Sequence, residues 1–502
     1  MTANDRVFFL IFAAAIAAIL TLSELIRRLF HWSPEDTRKM VHMFVGVLVA
    51  ATPFVLDSMW PMVILGILFT VVDFVAVRHG FFKGMHGTAR HTYGTVFYPI
   101  SFVILTLTLW HNHKLILVTA MMIMAISDAV AAIVGEHARS PRLLYFGPEQ
   151  KTLQGSGAMF AATFVIVMIA LQAAVHIGVR ELPWYRIVSV AAVVAVVAMT
   201  SEVISAQGSD NLTVPLGSAF ALYFMLTESP EHTARFVVGM GLAAAMALVS
   251  FRLRFLNGGG SVALFLLGTL VFGVGGWMFA VPILVFFLVS SVLSKMGKKR
   301  KDKLENVFEK GSRRDVGQVL ANGGIAGLML VFWYFAENNF FYVLYIAALA
   351  AVTADTWATE IGVMARGNPR SILTFKPVAM GASGGISVLG TSGALLGSLL
   401  LAAVGWLCSP HASPRTFGVR EAVIVLFAGL IASLVDSLLG ATVQAQFQCP
   451  TCGKMTEKRI HCSNQRTAFV RGFLWINNDV VNGLCALAGV MLVWLIDALG
   501  LF

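Results

Sequence analysis

The chain has 502 residues, 58% of them hydrophobic and only 12% charged, with a mean hydropathy of +0.80. These values exclude a soluble globular protein and leave an all-α polytopic membrane protein. The net charge of +10 is then read as membrane orientation plus affinity for phosphate or anionic membrane lipids, which argues against nucleic acid as a partner.

About 16 apolar runs are long enough to cross a hydrocarbon core, at roughly 7–26, 41–56, 60–77, 94–110, 115–135, 157–178, 187–206, 212–226, 236–253, 261–276, 278–294, 316–336, 340–362, 382–406, 421–441 and 480–500. The first lacks a basic leader and a small-residue cleavage site, and is kept as a helix. Breaker clusters at Glu228-Ser-Pro-Glu231 and Asn257-Gly-Gly-Gly260 mark a seam, giving two tandem transmembrane helix bundles over 1–230 and 231–502. With the N-terminus outside, Lys and Arg collect in alternate loops: Arg27 to Lys39, Arg78 with Lys83 and Arg90, Arg139 to Lys151, Lys295 to Arg314, Arg366 to Lys376 and Lys454 to Arg471. That asymmetry places those loops on the cytoplasmic side of a multi-pass protein, taken to lie in a bacterial inner membrane.

In the first half, Arg38-Lys39-Met-Val-His42 precedes the second span. Lys39 and His42 share a helical face, suiting phosphate binding or proton transfer as well as ordinary flanking charge. Asp128 ends an apolar run, with Ala131 at +3 and Gly135 at +7, the latter expected to clear space for a ligand. An acid there either binds the Mg²⁺ of a nucleotide or is a buried structural partner of Lys or Arg. Lys151-Thr152 and Gly155-Ser156 follow at the start of the next run, offering charge and backbone amides to phosphate without the spacing of a Walker A loop. Glu202 is left without a role, as are Asp73 and Glu24. Asp210-Asn211-Leu-Thr-Val-Pro215 reads as a helix cap or as a second metal or base position.

Arg38-Lys39-x-x-His42, Asp128-x-x-Ala131-x-x-x-Gly135, Lys151-Thr-Leu-Gln-Gly155-Ser156 and Asp210-Asn-Leu-Thr-Val-Pro215 together resemble the membrane polyprenol kinases, the family of phytol kinase and dolichol kinase, over roughly residues 20–227. Gln154 stands where that family has glutamate. The resemblance implies phosphorylation of an isoprenoid alcohol, commonly with CTP as donor.

The second half repeats the pattern: Asp355 ends an apolar run, Ala358 follows at +3, Gly362 at +7 and Lys376 at +21, against +23 for Lys151. Arg313, Arg314 and Asn322-Gly323-Gly324 stand at the mouth of an earlier span, offering charge and amides or simply close helix packing. Gly381-Ala-Ser383-Gly384-Gly385 forms a small-residue turn. Asp436 is a further intramembrane acid, and Asn477-Asn-Asp479-Val-Val-Asn482 opens the last span with more polar groups than a cap requires. Cys449-x-x-Cys452 with His461-Cys462 forms either a zinc knuckle or a loop of free thiols.

These second-half motifs resemble another membrane family, long known only as a domain of unknown function, which includes phytyl-phosphate kinase; the likeness covers 236–502. The two resemblances imply a bifunctional lipid kinase that makes first a prenyl monophosphate, then the diphosphate. Asp128 in one site, and Asp355, Asp436 and Asp479 in the other, would hold Mg²⁺; Lys151 and Lys376 would stabilise the transferring phosphoryl group. His42 or Asp210 would accept the alcohol proton. Arg38, Lys39, Asn211, Arg313, Arg314, Asn322, Gly155, Ser156, Gly381, Ser383 and Gly384 would contact CTP or ATP. The competing readings are a CTP-dependent cytidylyltransferase acting on a lipid phosphate and an ion-coupled membrane transporter.

Overall fold

The computed structural model describes residues 2–79, 92–147, 149–295, 313–409, 417–462 and 465–500. Lys83 and Arg90, together with the greater part of the basic segment Lys295 to Arg314, lie outside the described residues.

The protein is an all-α membrane protein. Among the described residues, twelve helices are long and apolar enough to cross a membrane. The remaining expected spans are also helical. Three of them are α2 (Pro34–Ala50), α4 (Gly94–Leu109) and α8 (Asp210–Thr227), and one of the twelve, the long stretch Gly258–Ser294, holds two expected spans as the arms α10 (Gly258–Leu270) and α11 (Gly276–Lys295). A π turn at Val271–Gly275 and a left-handed Gly276 separate those arms.

The chain divides into two compact units, Met1–Thr233 and Ala234–Phe502. The first contains α1 (Ala3–Phe30), α2, α3 (Trp60–His79), α4, α5 (Lys114–Glu136), α6 (Leu153–His176), α7 (Trp184–Ile204) and α8. After α9 (Pro230–Arg252), which carries the boundary, the second contains α10, α11, α12 (Val316–Ala336), α13 (Phe340–Gly362), α14 (Val388–Cys408), α15 (Val419–Thr442) and α16 (Asn478–Ala498).

Each unit packs around a helix whose middle is apolar on every side and largely buried. In the first unit this is α5, where Ala120, Met121 and Ile123 to Ala125 are shut from solvent and Ile123–Ser127 forms a π turn just before Asp128. In the second it is α13, buried continuously from Tyr342 to Ala354 and followed at once by Asp355. Tyr345 donates its hydroxyl to the Phe279 carbonyl at 2.7 Å and Tyr342 to that of Gly405 at 2.9 Å, so neither phenol is stranded in the core.

The repeated sequence motif is a repeated packing motif. After α5, an antiparallel hairpin of β1 (Leu143–Leu144) and β2 (Lys151–Thr152) leads into α6; after α13, β3 (Arg370–Ser371) and β4 (Gly385–Ile386) lead into α14. Thr152 caps α6 by accepting from the Gly155 amide, and Ser387 caps α14 by accepting from the Gly390 amide, both at 3.1 Å. A Cβ on Gly155 would lie 2.9 Å from the Ala131 carbonyl, and one on Gly390 would lie 2.9 Å from that of Ala358. The alanine at +3 and the glycine at +7 are therefore where the paired helices touch. Gly135 lets α5 and α6 approach closely, since a Cβ there would meet Thr152 Oγ1 at 2.8 Å, and it also lines the cavity of the first unit.

Candidate active sites

In the first unit, one cavity of about 440 Å³ gathers most of the residues that the sequence singles out. Its polar end is built by three acids and one lysine. Lys151 Nζ lies 2.8 Å from Glu202 Oε1 and 3.5 Å from Asp210 Oδ2. The charge of Asp128 is felt together with those of Asp210, Lys151, Glu202 and Arg38. Ser156 donates to Glu202 at 3.4 Å, and Ser205 to Asp210 at 3.4 Å. Burial opposes the Lys151 charge, but the Asp210 and Glu202 carboxylates outweigh it and hold the ammonium above its ordinary range. Three acids facing Lys151 and Arg38 outnumber the cations beside them, a donor set of the kind that holds a divalent cation.

His42, on α2, places Nε2 3.1 Å from the Met124 carbonyl within the π turn. A carbonyl only accepts, so Nε2 carries the proton and Nδ1 is the nitrogen left for proton transfer. Lys39 pairs with Glu136 across the same cavity mouth. Asn211 donates its backbone amide to Asp210 Oδ1 at 3.0 Å, and its side chain to the Gly208 carbonyl. The pair opens α8 from inside its first turn, with Ser209 at the cap position, so neither residue is the helix cap that the sequence allowed.

Away from that cluster the cavity wall is mainly apolar, with Ile16 and Leu20 from α1, Val45 and Val49 from α2, and Phe69 from α3, and with one further acid, Asp73, a turn beyond Phe69. Two buried hydroxyls line it without a hydrogen-bond partner, Thr95 Oγ1 and Tyr98 Oη. Such groups are expensive to bury unsatisfied and point to a polar ligand. Glu202, Tyr98, Thr95 and Glu136 are site residues that sequence reasoning missed. A signal existed for Glu202, an acid near the end of an otherwise apolar helix, and for Asp73, an acid in apolar α3 that lines the same cavity.

The Gly155 amide is spent on the Thr152 cap, so Gly155 and Ser156 line the cavity as the first turn of α6 and do not form a phosphate loop. This corrects the expected amide cradle.

In the second unit, the Asp355 and Asp436 carboxyls meet at hydrogen-bonding distance. Asp436 Oδ1 is buried without a donor, and Cys485 of α16 feels both acids. Two acids pressed together need a cation or a shared proton, which suits Mg²⁺. Asp479 lies in the first turn of α16, capped by Asn477. The turn at 381–385 packs on the end of α15, where Gly384, at φ +80°, has the Ala441 Cβ only 2.4 Å from where its own would stand. Ser383 donates to Glu457 at 2.8 Å. Gly384→Ala is expected to destabilise the protein by about 2–4 kcal/mol, from left-handed strain plus overpacking. Gly367→Ala, with nothing within 4 Å, should be silent; thermal melts in detergent compare the two.

Lys376 departs from expectation. Its side chain is exposed on the turn between β3 and β4, and among the described residues no ion pair joins it to Asp355. It is therefore not the structural counterpart of the buried Lys151. Arg314 and Asn322 line a different, small apolar cavity, with Arg314 over the Phe286 and Phe287 rings at 5.9 Å, where burial pulls its guanidinium down to about 10. Gly323 packs against Leu267, which would lie 2.4 Å from a Cβ, and Arg313 is exposed at the start of α12. Among the described residues no hydrogen bond or ion pair ties either arginine to the acid pair.

Comparison with known proteins gives a match to the family described as integral membrane protein DUF92 over residues 241–490. Protein PGR of Arabidopsis thaliana is 31% identical over 254 residues, covering 46% of this chain and 86% of that protein. Phytol kinase of Synechocystis sp. is 30% identical over 208 residues, covering 41% and 86%. Protein VTE6, chloroplastic, of Arabidopsis thaliana is 27% identical over 290 residues, covering 57% and 78%. No solved structure matches.

Proposed function

We propose, for a chain that belongs to the DUF92 family of integral membrane proteins, a bifunctional lipid kinase. Its first unit would phosphorylate an isoprenoid alcohol such as phytol or geranylgeraniol, and its second would convert the monophosphate to the diphosphate. A nucleoside triphosphate, CTP in preference to ATP, is the donor. The relative named phytol kinase supports the substrate class. The observation that carries the reading is the two-ended cavity of the first unit: an apolar wall for a prenyl tail and, at its other end, acids and a lysine for a nucleotide phosphate.

The donor sets fit Mg²⁺: Asp128, Glu202 and Asp210 in one unit, and Asp355 with Asp436 in the other, where Asp479, in the first turn of α16, would complete the set. Bound there, the ion would offset charge on the donor phosphates. In the first unit the apolar wall holds the tail so that the hydroxyl reaches the acidic end. The hydroxyl oxygen forms a bond to the terminal phosphorus, the bond to the nucleoside diphosphate breaks, and the alcohol proton passes to His42 Nδ1 or the Asp210 carboxylate. Lys151 offsets charge on the moving phosphoryl group. In the second unit the acceptor is already an anionic phosphate and needs no strong base. The lysine- and arginine-rich alternate loops support an inner-membrane protein with both acidic ends facing the cytoplasm.

The test is purified protein in detergent with Mg²⁺, labelled geranylgeraniol or phytol, and CTP or ATP. Monophosphate and diphosphate with release of nucleoside diphosphate are expected. Pyrophosphate release would identify a cytidylyltransferase, and no phosphorylated prenol across several chain lengths would sink the kinase reading.

A further inference from the structure

Between α15, which carries Asp436, and α16, which carries Asp479, the chain leaves the helices for short strands: β5 (Gln446–Gln448), β6 (Met455–Thr456), β7 (Ile460–His461), β8 (Gln465–Arg466) and β9 (Ala468–Arg471). Hairpins this short have no core of their own and do not hold together unaided. We propose that a structural Zn²⁺ holds this segment together, bound by the thiolates of Cys449, Cys452 and Cys462 and by His461 Nδ1.

The donor atoms of these four residues all lie within 4.8 Å of one another. His461 Nδ1 is 3.6 Å from Cys452 Sγ and 3.1 Å from Cys462 Sγ. Zinc–sulfur and zinc–nitrogen bonds of ordinary length put the edges of a tetrahedron at about 3.5 Å for nitrogen to sulfur and about 3.8 Å for sulfur to sulfur, so the spacing found is that of a metal-sized cage. Adjacent ligands at 461 and 462 would ordinarily point apart. Here Cys462 adopts a left-handed backbone, φ +37°, an unusual conformation for a non-glycine residue, and both side chains turn to one point. Cys449 and Cys452 sit on a tight turn in which the Gly453 amide donates to the Cys449 carbonyl at 2.9 Å and the Cys449 amide to the Lys454 carbonyl at 3.0 Å. Four protein ligands close the site, which makes it structural and not catalytic.

Its place in the fold gives it a task. Glu457, between the two ligand pairs, accepts from Ser383, and so ties the cage to the glycine turn packed against α15. Arg471, beyond the cage, donates to Gln446 and to the Ala441 carbonyl at the end of the same helix. The cage thereby braces the end of α15 beyond Asp436.

The experiment uses the full chain purified in detergent under reducing, chelator-free conditions, with metal read by inductively coupled plasma mass spectrometry. About one zinc per chain is expected, falling to near zero in Cys452→Ser and Cys462→Ser and unchanged in Cys408→Ser. Should the cysteine variants fail to fold, cobalt exchanged into the wild-type protein gives the second measurement: the intense visible bands of a tetrahedral thiolate site are expected. Protein that holds no zinc and shows no such cobalt bands, or a disulfide between Cys449 and Cys452 in freshly reduced and purified protein, would overturn the proposal.

Discussion

Lys151→Met is expected to destabilise the protein by about 3–5 kcal/mol and to abolish phosphorylation of the alcohol, because it strips the shared cation from two carboxylates that are largely shut from solvent. Lys151 Nζ is 2.8 Å from Glu202 and 3.5 Å from Asp210, and the three side chains are 18%, 7% and 15% exposed. Breaking a buried pair by removing one partner leaves an uncompensated charge, which costs far more than losing a surface ion pair. Lys151→Met/Glu202→Gln should recover much of the lost stability, since it removes the stranded charge as well, while leaving the alcohol unphosphorylated. Melting temperatures in detergent, read beside monophosphate formation, separate the two effects. A Lys151→Met protein that melts like wild type would show that the cluster is solvated and the ion pair incidental.

Asp355→Asn is expected to lower conversion of monophosphate to diphosphate by about 10²–10³-fold, the scale of losing one electrostatic contact at a reacting phosphate, and to leave formation of the monophosphate intact. Monophosphate would then accumulate from the alcohol. Asp436→Asn should behave in the same way, and the double variant should lose little more than either single one, because the two carboxyls meet and act as a unit. Asp128→Asn is the mirror experiment: diphosphate should form only when monophosphate is supplied. Loss of both steps in either variant would mean that a single site carries the chemistry.

Much of this was readable from the chain alone, and the reasons differ by feature. An acid at the end of a long apolar run is conspicuous because an isolated charge in a buried helix is so costly, which is why Asp128 and Asp355 stand out. The same rule reaches Glu202, but its role depends on Lys151, which arrives from the hairpin before α6, and on Asp210, from the start of α8. No linear spacing encodes that meeting. The lysines misled because the count ran to the wrong landmark. Thr152 follows Asp128 by 24 residues and Ser387 follows Asp355 by 32, so the caps correspond while Lys376 falls on an exposed turn. Cys449, Cys452, His461 and Cys462 were legible as a set, whereas the left-handed backbone that brings the last two together is a property of the folded loop.

The π turn at Ile123–Ser127 makes the first site sensitive to the number of residues as well as to their identity. Deleting one of those five would let α5 relax to regular helical bonding with Asp128 near its present bearing, whereas inserting one residue into the regular turns before it would rotate everything beyond by about 100°. Asp128 would swing off the cavity wall, and Ala131 and Gly135 would no longer face Gly155, although no chemical group of the site had been altered. Such a frame-preserving gain of a single codon should therefore read as a null allele for the first phosphorylation, whereas loss of one codon within the wide turn should be tolerated far better.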